Sequence, residues 1–270
     1  MLQLLTTIFV FYGVLMVVMY LAQRSFLYHP DNFTPTPQQS GVPEMTVVNI
    51  TTEDGLTLFA WVQPPSDPAK PWVVLFHGNA GTLGARGDRA MAFLDAGYGM
   101  MMVEYRGFGG NPGKPTETGL MIDARAALAY LAKQGAVGKN LVLYGESLGT
   151  AVAVAMASEQ AKLGQPVASV ILEAPFTSMV DAGKVHYPYL PVSILLKDRY
   201  DSLSKIKDID SPVFVVHGDE DWTVPQTQGR ALFAAAQEPK TALWVKEANH
   251  SNLFTAETFA AMTAFLSPPR

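Results

Sequence analysis

The sequence predicts an α/β fold: one mostly parallel sheet of eight strands with helices on both faces, preceded by an apolar N-terminal helix. Three observations predict it. From Trp72 onward, short apolar runs alternate with longer segments of helical period, which is the rhythm of βαβ units. Most of those runs are apolar throughout rather than alternating, as strands buried on both faces must be. Glycine-rich polar clusters directly follow three of them, at strand carboxyl ends, where open parallel sheets build their sites. A chain of 270 residues suits one large domain of this kind better than two small ones.

The first element is the apolar helix. Leu2 to Ala22 is uncharged and about 31 Å long as a helix, matching a hydrocarbon core of about 30 Å. A cleaved signal peptide fits less well, because no basic region precedes the run and Tyr20 sits badly for a small-residue cleavage site at Ala22. Residues 1–23 are therefore expected to be a single-pass membrane anchor. Arg24 faces only the terminal amine across it, so the positive-inside rule leans toward a catalytic domain in the cytoplasm. Residues 24–44 carry Pro30, Pro35, Pro37 and Pro43 among polar residues and read as a semi-rigid linker. The domain is expected over 45–270.

Met45 to Ile50 and Leu56 to Gln63 are joined by Glu53-Asp54-Gly55, a hairpin signal that predicts antiparallel edge strands. The remaining strands are expected at Trp72 to Phe76, Met100 to Glu104, Leu141 to Tyr144, Ser169 to Leu172, Val213 to Val216 and Ala242 to Val245. Between the sixth and seventh, about 176–211, lies the expected lid, short and interrupted by Pro188 and Pro191.

Composition excludes several functions. A net charge of −5 gives no basic footprint for nucleic acid. Without cysteine there is no disulfide, thiolate nucleophile or thiolate metal site. The histidines are scattered and no His-Glu-x-x-His stands in the chain, so no metal is expected. Gly109 to Lys114 falls one residue short of a phosphate loop, with Pro115 where a serine or threonine belongs.

The chemistry centres on Gly145-Glu146-Ser147-Leu148-Gly149. In a Gly-x-Ser-x-Gly elbow, small flanking residues let a sharp turn lift the serine hydroxyl above the sheet. The pattern recurs by chance in a chain with 22 glycines, but here a strand candidate precedes it and an alanine-rich helix candidate, Thr150 to Ser158, follows. A serine needs a base, and the base needs a carboxylate to orient it. With a triad order of serine, acid, histidine, only His217 and His250 qualify as base. His217 ends a strand and reads as packed, whereas His250 lies in the polar loop Ala248 to Asn252 and is the expected base. Asp219, Glu220 and Asp221 follow the seventh strand, with Glu173 more remote. The segment His217-Gly218-x-x-Asp221-x-x-Val224-Pro225 favours Asp221 by likeness to a recurrent hydrolase segment. Asn79 in His77-Gly78-Asn79 and Leu148 after the serine are the expected backbone N–H donors to an oxyanion. His77 itself reads as structural.

These motifs, together with Tyr105-Arg106-Gly107-Phe108-Gly109 and the N-terminal helix, resemble the Bem46-type α/β hydrolases, related to serine aminopeptidase and monoacylglycerol-lipase-like groups. The likeness covers about residues 45–266. It implies an α/β-hydrolase fold, hydrolysis of esters or thioesters of acylated lipids or proteins, and no cofactor. Asn111 and Pro112 depart from the pattern, standing where relatives often carry a serine.

The resulting expectation is a serine hydrolase cleaving carboxylic esters or thioesters through an acyl-serine, with Ser147, Asp221 and His250 as triad and a small-molecule or lipid-like acyl substrate. Tyr187, Leu190 and Leu195 in the lid are candidates to line an acyl pocket, or ordinary packing residues. The alternatives are a peptidase acting at peptide N-termini and a membrane-tethered binding protein that lost catalysis; dehalogenase and epoxide-hydrolase chemistry would need an aspartate in place of Ser147.

Overall fold

A computed structural model describes residues 1–267. Its first element is the helix α1 (Leu2–Leu27). The sheet is built from β1 (Thr46–Thr51), β2 (Thr57–Gln63), β3 (Trp72–Phe76), β4 (Gly99–Val103), β5 (Leu141–Glu146), β6 (Ser169–Glu173), β7 (Val213–Gly218) and β8 (Lys240–Val245). They lie in the order β1-β2-β4-β3-β5-β6-β7-β8. Only the β1/β2 and β2/β4 pairs are antiparallel. The eight expected strands all form, with ends that differ by at most two residues.

Alternate residues of the central strands feed two cores. Val74, Phe76 and Leu143 pack under α3 (Glu117–Ala132), α4 (Leu148–Lys162) and α7 (Gln226–Ala235). On the opposite face Val73, Leu75 and Tyr144 pack under α2 (Gly87–Asp95) and α8 (Ala256–Leu266). Since every residue of β3, β4 and β6 is buried, these runs carry no polar alternation to read. Two short helices, α5 (Met179–His186) and α6 (Val192–Leu195), lie between β6 and β7 and form the cap.

The N-terminal segment differs from expectation. The helix runs to Leu27 rather than ending near residue 23, and residues 28–44 are no free spacer. His29–Pro30 pairs in parallel with Ala80–Gly81, and Tyr28, Pro35, Pro37 and Val42 are buried. The Tyr28 and Tyr200 hydroxyls meet at 2.8 Å. The prolines suit a segment that follows the domain surface without donating to a ladder, and tertiary contacts hold it there.

Candidate active site

The elbow forms between β5 and α4. Ser147 has φ 51° and ψ −114°, a backbone conformation costing about 1–3 kcal/mol that persists only where its surroundings impose it. They do so through close approach. The Ser147 N–H donates to the Glu173 carbonyl at 2.8 Å, and the Ser147 carbonyl accepts from Thr150 N–H and Oγ1. A Cβ on Gly149 would stand 1.9 Å from the Phe76 carbonyl oxygen, and one on Gly145 2.4 Å from that of Gly149. Both glycines are therefore required by contact between backbones. Gly149→Ala is expected to lower unfolding stability by about 3 kcal/mol or more, read as a shift of the denaturant midpoint for the detergent-solubilised chain.

Ser147, His250 and Asp221 meet across the carboxyl ends of the strands. The Ser147 hydroxyl lies 2.9 Å from His250 Nε2, and His250 Nδ1 lies 2.7 Å from Asp221 Oδ2. The tautomer satisfying both contacts carries its proton on Nδ1 and accepts at Nε2. Asp221 Oδ1 accepts from the Thr223 and Val224 N–H groups at 2.9 and 2.8 Å, and His217 Nε2 stands 3.3 Å from Oδ2. Burial pushes the Asp221 carboxyl up, but hydrogen bonds from His217, His250 and Val224 outweigh it and hold the group well below the usual carboxylate range. Of the other acid candidates, Asp219 accepts from the Glu247 N–H, Glu173 pairs with Arg89 and Tyr144, and the Glu220 side chain is exposed. His217 is fully buried and also contacts the Val224 carbonyl at 2.8 Å, so it supports the Asp221 carboxylate from behind.

Asn79 and Leu148 line one cavity together with Ser147. Leu148 is the first residue of α4, where helix N–H groups have no partner within the helix. The Asn79 side chain donates to the Leu27 carbonyl at 2.6 Å, tying this loop to the end of α1. His77 is structural: its Nε2 meets Glu104 Oε1 at 2.8 Å, and Glu104 Oε2 accepts from the Leu83 N–H. Sequence reasoning missed Glu104 as the residue that fixes this loop, although it ends an apolar run. Asn111 is structural too, accepting from the Phe59 N–H and donating to the Glu104 carbonyl.

Ser147 separates two unlike spaces. On one side is an apolar cavity of about 320 Å³, whose lining includes Phe176, Tyr187, Leu190, Leu195 and Val224; the three lid candidates therefore all reach it. On the other side is a polar cavity lined by Arg86, Arg89, Glu146, His250 and Ser251. Its charges are matched. Arg86 donates to both Glu146 oxygens at 2.8 Å, and Arg89 pairs with Glu173 at 2.7 Å. Burial raises the Glu146 carboxyl, yet Arg86 draws it down to about 2. Among the described residues, no group of three or more His, Cys, Asp or Glu side chains is arranged to hold a metal ion.

Comparison with known proteins places the chain in a family. A family model described as serine aminopeptidase, S33, matches residues 67–197. The uncharacterized protein Rv2307c of Mycobacterium tuberculosis is 40% identical over 243 residues, covering 89% of this chain and 84% of that protein. Protein bem46 of Schizosaccharomyces pombe is 33% identical over 213 residues, 76% of this chain and 70% of the relative. The Pyrococcus furiosus esterase Pf2001 superposes with a TM-score of 0.70 at 21% identity, over 88% of this chain and 98% of its own, a likeness of fold. The chain belongs to the Bem46-like family of α/β hydrolases and is a hydrolase.

Proposed function

We propose that the chain is a membrane-anchored serine hydrolase that cleaves carboxylic esters or thioesters through an acyl-serine intermediate. The observation that carries this reading is the hydrogen-bonded line from Ser147 through His250 to Asp221, with Ser147 in the lining of an apolar cavity. Ser147 Oγ attacks the substrate carbonyl while His250 Nε2 takes its proton; the Asn79 and Leu148 N–H groups receive the charge that develops on the carbonyl oxygen. His250 returns the proton to the departing alkoxide or thiolate. Water, deprotonated by the same nitrogen, then releases the acid and restores the serine. Asp221 keeps the ring in its Nδ1–H form and stabilises the imidazolium.

An ester or thioester is favoured over a peptide N-terminus by the charges around Ser147. A free α-amine calls for an unpaired carboxylate. The apolar cavity is lined by no aspartate or glutamate, and Glu146 in the polar one is committed to Arg86 at both oxygens. The intact constellation also speaks against a binding protein without catalysis. The anchor is α1, the one described helix long and apolar enough to cross a membrane, with the domain from about residue 45 onward; the lone Arg24 flank favours the cytoplasmic side.

The test is labelling by a fluorophosphonate probe in detergent, with Ser147→Ala beside the wild type and an ester panel of graded acyl length. The wild type is expected to label at Ser147 and to turn over at least one ester, the variant not to label and to lose turnover by a factor on the order of 10⁶. A wild type that neither labels nor hydrolyses any ester would overturn the reading.

A further inference from the structure

The catalytic domain alone does not enclose the apolar cavity at Ser147. One wall is α1: Met19, Gln23, Phe26 and Leu27 line it, over about 12 Å of helix axis. The adjoining wall is the cap, through Tyr187 and Leu195 among others. A helix that served only as a tether would need no such fit.

Contacts spread along α1 hold it there. The Tyr12 hydroxyl donates to the Tyr189 carbonyl at 2.8 Å. The Gln23 amide donates to the Leu195 carbonyl at 3.0 Å and accepts from the Lys197 N–H at 2.7 Å. Arg24 grips Asp198 with two bonds at 2.8 and 3.1 Å. From Arg24 back to Tyr12 is about 18 Å of helix, so the cap follows α1 deep into the uncharged stretch that matches the hydrocarbon core. Backbone polar groups at that depth must be satisfied by protein, and α1 side chains satisfy those of the cap at Tyr189, Leu195 and Lys197. The cap also turns apolar side chains outward: Val185, Tyr189 and Ile194 are 51%, 62% and 81% exposed, a surface suited to lipid.

We infer that α1 and the cap form an acyl channel at the level of the bilayer. The acyl chain of a membrane-dissolved, single-chain ester enters between them from the lipid phase, and α1 is the wall against which its length is measured. The carbonyl then meets Ser147, with the polar leaving group directed to the cavity beside Arg86 and Ser251. The inference rests on the acyl-serine reading for the position of the carbonyl; the channel itself rests on the placement of α1.

Because the chain contains no cysteine, single-cysteine variants report local access. Met19→Cys, Phe26→Cys and, outside the cavity on the same helix, Val14→Cys are prepared in the full chain in lipid nanodiscs. Their rates of reaction with N-ethylmaleimide are compared before and after treatment with an ethyl or a hexadecyl fluorophosphonate, attachment to Ser147 being followed by mass spectrometry. A hexadecyl chain filling the channel is expected to slow Met19→Cys and Phe26→Cys about tenfold or more, as a bound ligand excludes solvent from its pocket. The ethyl group should leave both rates within about twofold, because it does not reach α1. Val14→Cys should not distinguish the two reagents. Equal rates with both phosphonates at Met19→Cys and Phe26→Cys overturn the channel while leaving the acyl-serine chemistry standing. Failure of both reagents to attach overturns that chemistry, and the inference with it.

Discussion

Ser147→Ala is expected to lower kcat by a factor on the order of 10⁶, the cost of removing the nucleophile from a unit whose members act together. Binding should survive, since the cavity walls and the Asn79 and Leu148 N–H groups proposed to receive the oxyanion remain, and a residual rate about 10³–10⁴ above water is expected. Steady-state kinetics on a responsive ester measures this, and a loss smaller than about a hundredfold would show that Ser147 does not carry the covalent step. The same position offers a stability readout. With φ at 51° and ψ at −114°, any side chain is strained there, so Ser147→Gly should be more stable than Ser147→Ala by about 1 kcal/mol. Denaturant midpoints of the two inactive variants decide this independently of catalysis.

Asp221→Asn is expected to lower kcat by about 10⁴ with little change in fold. The direction follows from which oxygen can become the amide nitrogen. Oδ1 accepts two backbone N–H groups, from Thr223 and Val224, so the carbonyl of an asparagine must stay there. Its NH₂ then faces His250 Nδ1 and donates, which forces the imidazole proton onto Nε2. A protonated Nε2 donates toward Ser147 and no longer accepts its proton. The fluorophosphonate reaction should slow in parallel with ester turnover, since both need the activated hydroxyl. A variant within about tenfold of wild type in both would remove Asp221 from the triad and return attention to the other carboxylates.

Much of the fold was legible because it is written locally. Continuous apolar runs mark buried parallel strands wherever they stand, and Gly145 and Gly149 reveal a turn whose backbone contacts admit no side chain. Strand ends were less legible. β5 continues through Gly145 and Glu146, residues that read as turn, because sheet pairing to β6 overrides local preference. The packing of residues 28–44 is not legible for the same kind of reason. Proline-rich polar sequence describes a chain that resists regular structure, but says nothing of whether a surface is waiting to receive it, as Ala80–Gly81 and Tyr200 receive His29–Pro30 and Tyr28.

The sequence by itself determined the sheet, the elbow, the order of candidate triad residues and the apolar length of the first helix, since each is a property of residue type and spacing. Only the tertiary structure decided which carboxylate faces His250, because Asp219 and Asp221 stand two residues apart and differ only in where the turn aims them. It alone showed Glu104 behind His77 and α1 as a wall of the cavity, since those contacts join residues 27 positions apart in one case and more than 120 in the other, and long-range packing leaves no periodic trace in a single sequence.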